Sequence, residues 1–170
     1  MGTKCRCILH IPISYFMDGF HFFSEFAELS AQDQDLIQLA RKASNSSYSP
    51  YSQFMVGASA RLDDGRIISG SNQENASYPA GLCAERVALF HIASSYPDRS
   101  VDSIAVVARR ANDTKFKPVS PCGICRQVML EVELKQNKPM RVILQSADGR
   151  WVVSESAQHL LPFSFGQDSL

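Results

Sequence analysis

The sequence has no excess of charge of either sign. Its seventeen lysine and arginine residues are balanced by seventeen aspartate and glutamate residues, so the formal net charge at pH 7 is +0. Proteins that bind phosphate backbones usually carry a basic excess on one face or stripe. The balance therefore argues against a nucleic-acid partner. Internal repeats and low-complexity tracts are also missing, and 170 residues suit a single domain with one active site.

Apolar runs long enough to cross a bilayer are absent as well. The longest candidate extends from Ile8 to Met17, but Pro12 interrupts it and Asp18 ends it. Since no small-residue cleavage pattern follows, we expect neither a signal peptide nor a membrane contact. We expect residues 1–29 to form a non-helical N-terminal arm, whose role the sequence leaves open.

Disulfide bonds are not expected either, because five cysteines are an odd number in a chain large enough to fold without such bonds. Cysteines that serve as free thiolates require a reducing compartment, so we expect a cytoplasmic location. The five residues are Cys5, Cys7, Cys83, Cys122 and Cys125.

Helical and strand patterns alternate after Ser30. Apolar residues at helical spacing predict a helix over residues 31–46, a second from about residue 83 and a third after residue 123. Alternating or β-branched runs predict strands over residues 56–62, 66–72, 104–108, 141–145 and 151–153. This order predicts an α/β fold over residues 30–170, with a mixed five-stranded sheet in a three-layer α/β/α sandwich.

Three of the cysteines occur where loops lead into the second and third predicted helices. Cys122 and Cys125 are three positions apart, so one helical turn directs both sulfurs to the same side. The positive end of the helix dipole favours thiolates there. Cys83 can supply a third sulfur from the second helix. Three protein ligands leave the fourth tetrahedral position of Zn²⁺ open to water, as in catalytic zinc sites.

A CxxC pair alone has other interpretations. It is also typical of thioredoxin-like redox sites and of half a structural zinc knuckle, for which Cys5 or Cys7 would have to supply a fourth ligand. Glu85 separates these possibilities, because it stands two residues after Cys83 and can reach a metal-bound water without binding the metal. Cys-x-Glu followed by Pro-Cys-x-x-Cys is the signature of zinc deaminases, in which the glutamate transfers protons.

Five motifs extend this signature, in the order PYSQF with VGA, NQENASYP, CAER, PCGICRQ, and LLP with FG. The set resembles the cytidine deaminase family, in its small-subunit, homotetrameric class with three zinc-binding cysteines. The resemblance covers about residues 47–166 and implies a cytidine deaminase-like fold. Met55 and Gln73 depart from residues common in the family, but neither position carries chemistry there.

The resemblance implies zinc-dependent hydrolytic deamination of cytidine and deoxycytidine to uridine and deoxyuridine plus ammonia, a step of pyrimidine salvage. Cys83, Cys122 and Cys125 would hold one Zn²⁺ per chain, and zinc-bound hydroxide would attack C4 of the base. Glu85 would act as the proton shuttle. The substrates would then be a small-molecule nucleoside and water.

The resemblance also assigns the substrate contacts. Asn72 and Glu74 would hold the ribose 3′-hydroxyl, and Phe54 would stack on the pyrimidine. The backbone N–H of Ala84 would donate to O2 of the base. Two aromatic residues match positions that complete the pocket of a neighbouring subunit. They are Tyr78 and Phe165.

Arg86 is a candidate outside the first coordination sphere of the metal. Three thiolates around Zn²⁺ leave a net negative site, and Arg86 follows Cys83 by three positions, within reach of its sulfur on the same helical turn. A donor of this kind tunes the metal.

Three other functions share part of the pattern. A deaminase of a cytosine-bearing antibiotic such as blasticidin S uses the same zinc motifs, but that group would not predict Phe54 together with Asn72-x-Glu74. A polynucleotide deaminase is disfavoured by the neutral charge. A non-catalytic zinc-stabilised interaction domain would leave Glu85 idle and need a fourth ligand.

Overall fold

The computed structural model of the chain describes residues 18–166 and 170. Cys5, Cys7 and most of the predicted arm lie outside these residues. Within the described ranges there are three α-helices: α1 (Ala31–Ser44), α2 (Ala84–Ser95) and α3 (Gly123–Gln136). The strands are β1 (Phe20–Phe23), β2 (Phe54–Leu62), β3 (Ile67–Ser71), β4 (Val101–Arg110), β5 (Arg141–Gln145) and β6 (Trp151–Ser154).

The strands form one mixed sheet in the order β1-β6-β5-β4-β2-β3. Strands β4 and β5 pair in parallel, and the other neighbours pair antiparallel. The predicted α/β fold is confirmed, with six strands where five were expected. The sixth is β1, which lies within the predicted arm and pairs with β6 from Phe20 opposite Ser154 to Phe23 opposite Trp151.

Both faces of the sheet are covered, which accounts for the three layers. In β4, Ile104 and Val106 belong to a core that includes residues of α2 and α3, whereas Ala105 and Val107 belong to a core that includes residues of α1. This alternation is the period of two expected of a strand. A strand that is buried on both faces has a continuous apolar sequence. The continuous apolar run covers only residues 104–108, so the sequence predicted only the centre of β4.

Helix α1 begins with a side-chain cap. The hydroxyl oxygen of Ser30 accepts a hydrogen bond from the backbone N–H of Asp33 at 3.2 Å. The carboxylate of Asp33 accepts two hydrogen bonds from the Arg141 side chain of β5, at 3.0 and 2.9 Å. The first turn of α1 is therefore tied to the sheet.

Two glycines allow helices to approach the sheet closely. A Cβ atom on Gly70 of β3 would lie 2.6 Å from the carbonyl oxygen of Ala84 and 2.7 Å from the nitrogen of Ala88. A Cβ atom on Gly57 of β2 would lie 2.0 Å from the carbonyl oxygen of Ala40. Gly70 thus lets the first turn of α2 rest directly on the sheet, which fixes the position of Cys83. No helix within residues 18–166 is long and apolar enough to span a membrane.

Candidate active site

Helices α2 and α3 each begin at a cysteine. Cys83 is the N-cap of α2 and Cys122 the N-cap of α3, each with extended backbone. Their carbonyl oxygens accept the first helical bonds, from the N–H groups of Val87 at 3.1 Å and Arg126 at 2.9 Å. Since neither sulfur caps its own helix, both remain available as ligands.

The sulfurs of Cys83, Cys122 and Cys125 lie within 4.8 Å of one another. Sγ of Cys83 is 3.9 Å from Sγ of Cys122. Two thiolates at zinc–sulfur distances of about 2.3 Å and a tetrahedral angle would be ~3.8 Å apart. The donor atoms and their spacing therefore fit Zn²⁺, and one ion per chain is the cofactor that this cluster takes.

The thiols of Cys83 and Cys125 differ in how readily they lose their protons. Hydrogen bonds from Cys125, and then from Arg86 and Cys122, lower the pKa of Cys83 to about 5 against the opposing effect of burial. The hydrogen bond to Cys83, together with burial, raises the pKa of Cys125. Cys83 therefore becomes a thiolate before Cys125 does.

Glu85 lies in the first turn of α2 and is 3% exposed. Burial raises the pKa of its carboxyl above the ordinary value. Its Oε2 atom is buried and has no hydrogen-bond partner among the described residues. A buried, unsatisfied carboxylate oxygen is costly, and such groups are found where a ligand or a reaction uses them.

Arg86 lies against the same cluster. Its Nη2 atom donates to Sγ of Cys83 at 3.7 Å and to the carbonyl oxygen of Gly81 at 3.3 Å. The predicted proximity of Arg86 to a ligand sulfur is therefore present in the structure.

A cavity of about 390 Å³ opens beside the cluster. Its lining brings together both ends of the predicted site, because Cys83, Cys122 and Glu85 lie in one wall and the predicted substrate contacts in the others. Those contacts are Phe54, Asn72, Glu74 and Tyr78. Ala84 is fully buried between Cys83 and Glu85 at the start of α2.

The Asn72 side chain is largely engaged by the protein itself. Its Oδ1 accepts bonds from the N–H of Val56 at 2.8 Å and from the hydroxyl of Ser47 at 2.5 Å. Its Nδ2 donates to the carbonyl oxygen of Phe54 at 2.9 Å. Of the four bonds that an amide side chain can make, Asn72 thus has one N–H left to offer a substrate.

Glu74 is held through one oxygen. Its Oε2 accepts bonds from the backbone N–H groups of Tyr51 at 2.9 Å and Ser52 at 3.2 Å. The Ser52 side chain, together with these two N–H groups, lowers the pKa of Glu74. Glu74 is therefore an ionised acceptor at neutral pH, as a hydroxyl contact requires.

The two remaining candidates lie apart from each other. Tyr78 is 77% exposed and contributes to the cavity of its own chain. Phe165 is 58% exposed and does not line that cavity, and its carbonyl oxygen accepts a bond from the Gln127 side chain at 2.8 Å.

Some residues of the site were not singled out from the sequence. Ser52 binds Glu74, and Val119 and Ser120 line the cavity. Arg126 donates to the carbonyl oxygen of Pro121 at 2.8 Å, just before Cys122. Ser52 and Arg126 stand inside the quoted motifs, and Val119 and Ser120 directly precede one, so position within or beside a motif was the available signal.

An α/β/α sandwich with three thiols at two helix starts, and a buried glutamate two residues after the first, defines a zinc-dependent deaminase. The sequence profile of the cytidine and deoxycytidylate deaminase zinc-binding region matches residues 30–138. The chain belongs to this family.

Known proteins of the family are similar over most of their length. The cytidine deaminase of Halalkalibacterium halodurans is 46% identical over 137 residues, which are 81% of this chain and 96% of that protein. A cytidine deaminase structure from Burkholderia pseudomallei is 40% identical with a TM-score of 0.64, covering 81% of this chain and all of the other. One from Mycobacterium tuberculosis is 30% identical with a TM-score of 0.62, covering 81% and 99%.

Proposed function

We propose that the protein deaminates free cytidine and deoxycytidine to uridine and deoxyuridine, releasing ammonia, as a step of pyrimidine salvage. The observation that carries the proposal is Oε2 of Glu85, which is buried and has no hydrogen-bond partner among residues 18–166, beside the three thiols and in the wall of a nucleoside-sized cavity. The similar proteins named as cytidine deaminases support the same substrate. Free thiols at the site suit action in the reducing cytoplasm.

Cys83, Cys122 and Cys125 would hold Zn²⁺, which would supply the Lewis acidity that makes water a nucleophile at neutral pH. Glu85 takes the proton that this water loses. It delivers this proton to N3 of the cytosine ring, then takes the proton of the new C4 hydroxyl and passes it to the amine, so that C4 exchanges its C–N bond for a C–O bond and ammonia leaves. Burial suits Glu85 to this task, because a carboxyl of raised pKa accepts a proton more readily than an ordinary carboxyl does.

The remaining walls suit a nucleoside. Phe54 offers an aromatic ring to the pyrimidine, and the N–H of Ala84, at the first position of α2, offers a donor to O2. Glu74 accepts from the ribose 3′-hydroxyl, and the remaining N–H of Asn72 donates to it. Residues 30–170 form the catalytic domain in this proposal, and the strand β1 extends its sheet.

Charge favours nucleosides over nucleotides. The acidic side chains that line the cavity among the described residues are Glu74 and Glu85, beside the thiols of Cys83 and Cys122, and no lysine, arginine or histidine lines it there. A 5′-phosphate in this cavity would meet acidic groups without a cation to neutralise it. We therefore exclude deoxycytidylate as the preferred substrate.

The active enzyme in this proposal is a homotetramer with pockets shared between subunits. Support comes from an open cavity of about 430 Å³ beside the substrate cavity, where the exposed rings of Tyr51 and Tyr78 pack edge to face. Phe165 is exposed on the same chain but outside both cavities. A neighbouring copy could place its Phe165 against Tyr78.

The test is an ultraviolet assay of the purified zinc protein with cytidine, deoxycytidine, deoxycytidylate, cytosine and blasticidin S in parallel. We expect turnover of the two nucleosides and at least ~100-fold lower kcat/KM for the other three compounds, the range that a missing or repelled polar group produces. Preferred turnover of blasticidin S or of deoxycytidylate would refute the proposal.

A further inference from the structure

The backbone of Gln53 adopts a conformation that is uncommon for its residue type. Its φ angle is 55°, and within residues 18–166 only Asn137, with φ of 49°, is another non-glycine residue with positive φ. Asn137 is the C-cap of α3, where a left-handed residue is usual. Gln53 ends no helix, so its conformation has to be explained by the loop that it belongs to.

Three hydrogen bonds hold Gln53 in place. Its N–H donates to the carbonyl oxygen of Ser49 at 3.0 Å, and its side-chain Nε2 donates to the carbonyl oxygen of Pro50 at 2.9 Å. Its own carbonyl oxygen accepts from the N–H of Ala111 at 2.9 Å. The residue thus closes the turn over residues 49–53 and joins it to the end of β4.

Both neighbours of Gln53 contact the candidate substrate site. On one side, the N–H groups of Tyr51 and Ser52 donate to the same oxygen of Glu74. On the other side, Phe54 lines the cavity, and its N–H donates to the hydroxyl of Ser52 at 3.1 Å. A change of φ at Gln53 would redirect the Tyr51 and Ser52 amides relative to Phe54.

We propose that Gln53 is a positioning residue, whose left-handed backbone sets Glu74 and Phe54 in the geometry that receives the nucleoside. This inference rests on the proposed function, because Glu74 and Phe54 are substrate contacts only there. Gln53 itself is exposed and does not line the cavity. Its hydrogen bonds go to Ser49, Pro50 and Ala111, so its effect is on the positions of Glu74 and Phe54 and hence on binding of the ribose and base.

The test is a substitution series at Gln53. Glycine enters the left-handed region at no steric cost, alanine enters it with difficulty, and β-branched valine is a pronounced outlier there. We expect Gln53→Gly to keep the parental KM for cytidine within about twofold, and Gln53→Val to raise KM roughly tenfold with kcat nearly unchanged. Gln53→Val should also lose most of the preference for cytidine over 3′-deoxycytidine.

Asn137→Val is the matched control, because it introduces the same side chain at the same backbone conformation outside the described cavities. It should lower the melting temperature and leave KM and the 3′-hydroxyl preference unchanged. Zinc content and circular dichroism establish that each variant is folded. If Gln53→Val does not fold, the KM values of Gln53→Ala and Gln53→Gly are compared instead. Both variants lack the side-chain amide, and they differ only in Cβ.

Equal KM values for the glycine variant and for the valine or alanine variant would overturn the inference. A parental 3′-hydroxyl preference in Gln53→Val, or an equal rise of KM in Asn137→Val, would overturn it as well. Failure of the parent protein to deaminate cytidine is a separate result, which refutes the proposed function and removes the basis of this inference with it.

Discussion

Sγ of Cys83 lies 3.9 Å from Sγ of Cys122, although 39 positions separate the two residues in the sequence. Each is the N-cap of a helix, and both helices pack on the same face of the sheet. The sheet thus brings two helix starts together, and Cys125 adds a sulfur one turn into α3. The metal cluster is a direct consequence of the fold.

Zinc content should follow these thiols. We expect about one zinc per chain in the purified protein, and we expect Cys83→Ala, Cys122→Ala and Cys125→Ala each to lose metal together with activity, because two sulfurs hold Zn²⁺ poorly. Elemental analysis and turnover measured on the same samples test this. Cys5→Ala and Cys7→Ala are the controls, and loss of zinc in either would contradict a site with three protein ligands.

Glu85→Gln should retain zinc and fold but lose turnover by roughly 100- to 10,000-fold, because an amide preserves the shape of the side chain and cannot transfer protons. Zinc analysis, melting temperature and kcat are the measurements. Near-normal turnover in a zinc-loaded variant would refute the assigned proton shuttle.

The sequence predicted the helices, the strands β2 to β6 and the thiol cluster because each of these has a local signal. Helix periodicity and the Ser30 cap mark α1, and the cysteine spacing places ligands at two helix starts. The proximity of two ligands within one helical turn, such as Cys122 and Cys125, can be predicted without knowledge of the tertiary structure. Their proximity to Cys83 can be predicted once both helices are assigned to one face of the sheet.

Other features depend on contacts that no local pattern records. Strand β1 has only four residues, and it is a strand because Phe20 and Phe22 join one core while Phe23 joins the other. Asn72 was expected to bind ribose, but two of its three hydrogen bonds within the protein are made with the start of β2, which carries Phe54. Which hydrogen-bonding groups of Asn72 are used by the protein, and which remain for a ligand, can be seen only in the folded structure.

Glu74→Gln should raise KM for cytidine by about tenfold and weaken discrimination against 3′-deoxycytidine, because a neutral amide is a poorer acceptor than a carboxylate held by two N–H groups. Steady-state kinetics with both nucleosides provide the measurement. Glu131→Gln is the control, since it makes the same change at an exposed glutamate that lines neither cavity. An unchanged preference in Glu74→Gln would mean that the ribose contact lies elsewhere.

We expect the protein to be a tetramer in solution, measured by light scattering. Phe165→Ala should raise KM if this ring completes the pocket of a neighbour, whereas Phe163→Ala, which removes an adjacent ring that is 96% exposed, should not. A fully active monomer would contradict the shared pocket, and so would equal effects of the two substitutions.

The charge of the metal site leads to a prediction for Arg86. Three thiolates and one Zn²⁺ leave about one net negative charge, and an electron-rich zinc lowers the pKa of its water less than one with neutral ligands. The Arg86 guanidinium donates to Sγ of Cys83 at 3.7 Å and so withdraws charge from one ligand. Arg86→Gln should therefore keep the fold and lower turnover by roughly 10–100-fold.

A second substitution separates this electrostatic role from a structural one. Arg86 also donates to the carbonyl oxygen of Gly81, so its loss could act by loosening the loop before Cys83. Adding Cys83→His to Arg86→Gln replaces a thiolate with a neutral ligand, and it should restore part of the turnover without restoring the Gly81 contact. A structural role predicts no such rescue. If Arg86→Gln is as fast as the parent, or if the double variant is slower than the single one at equal zinc content, then Arg86 does not tune the metal.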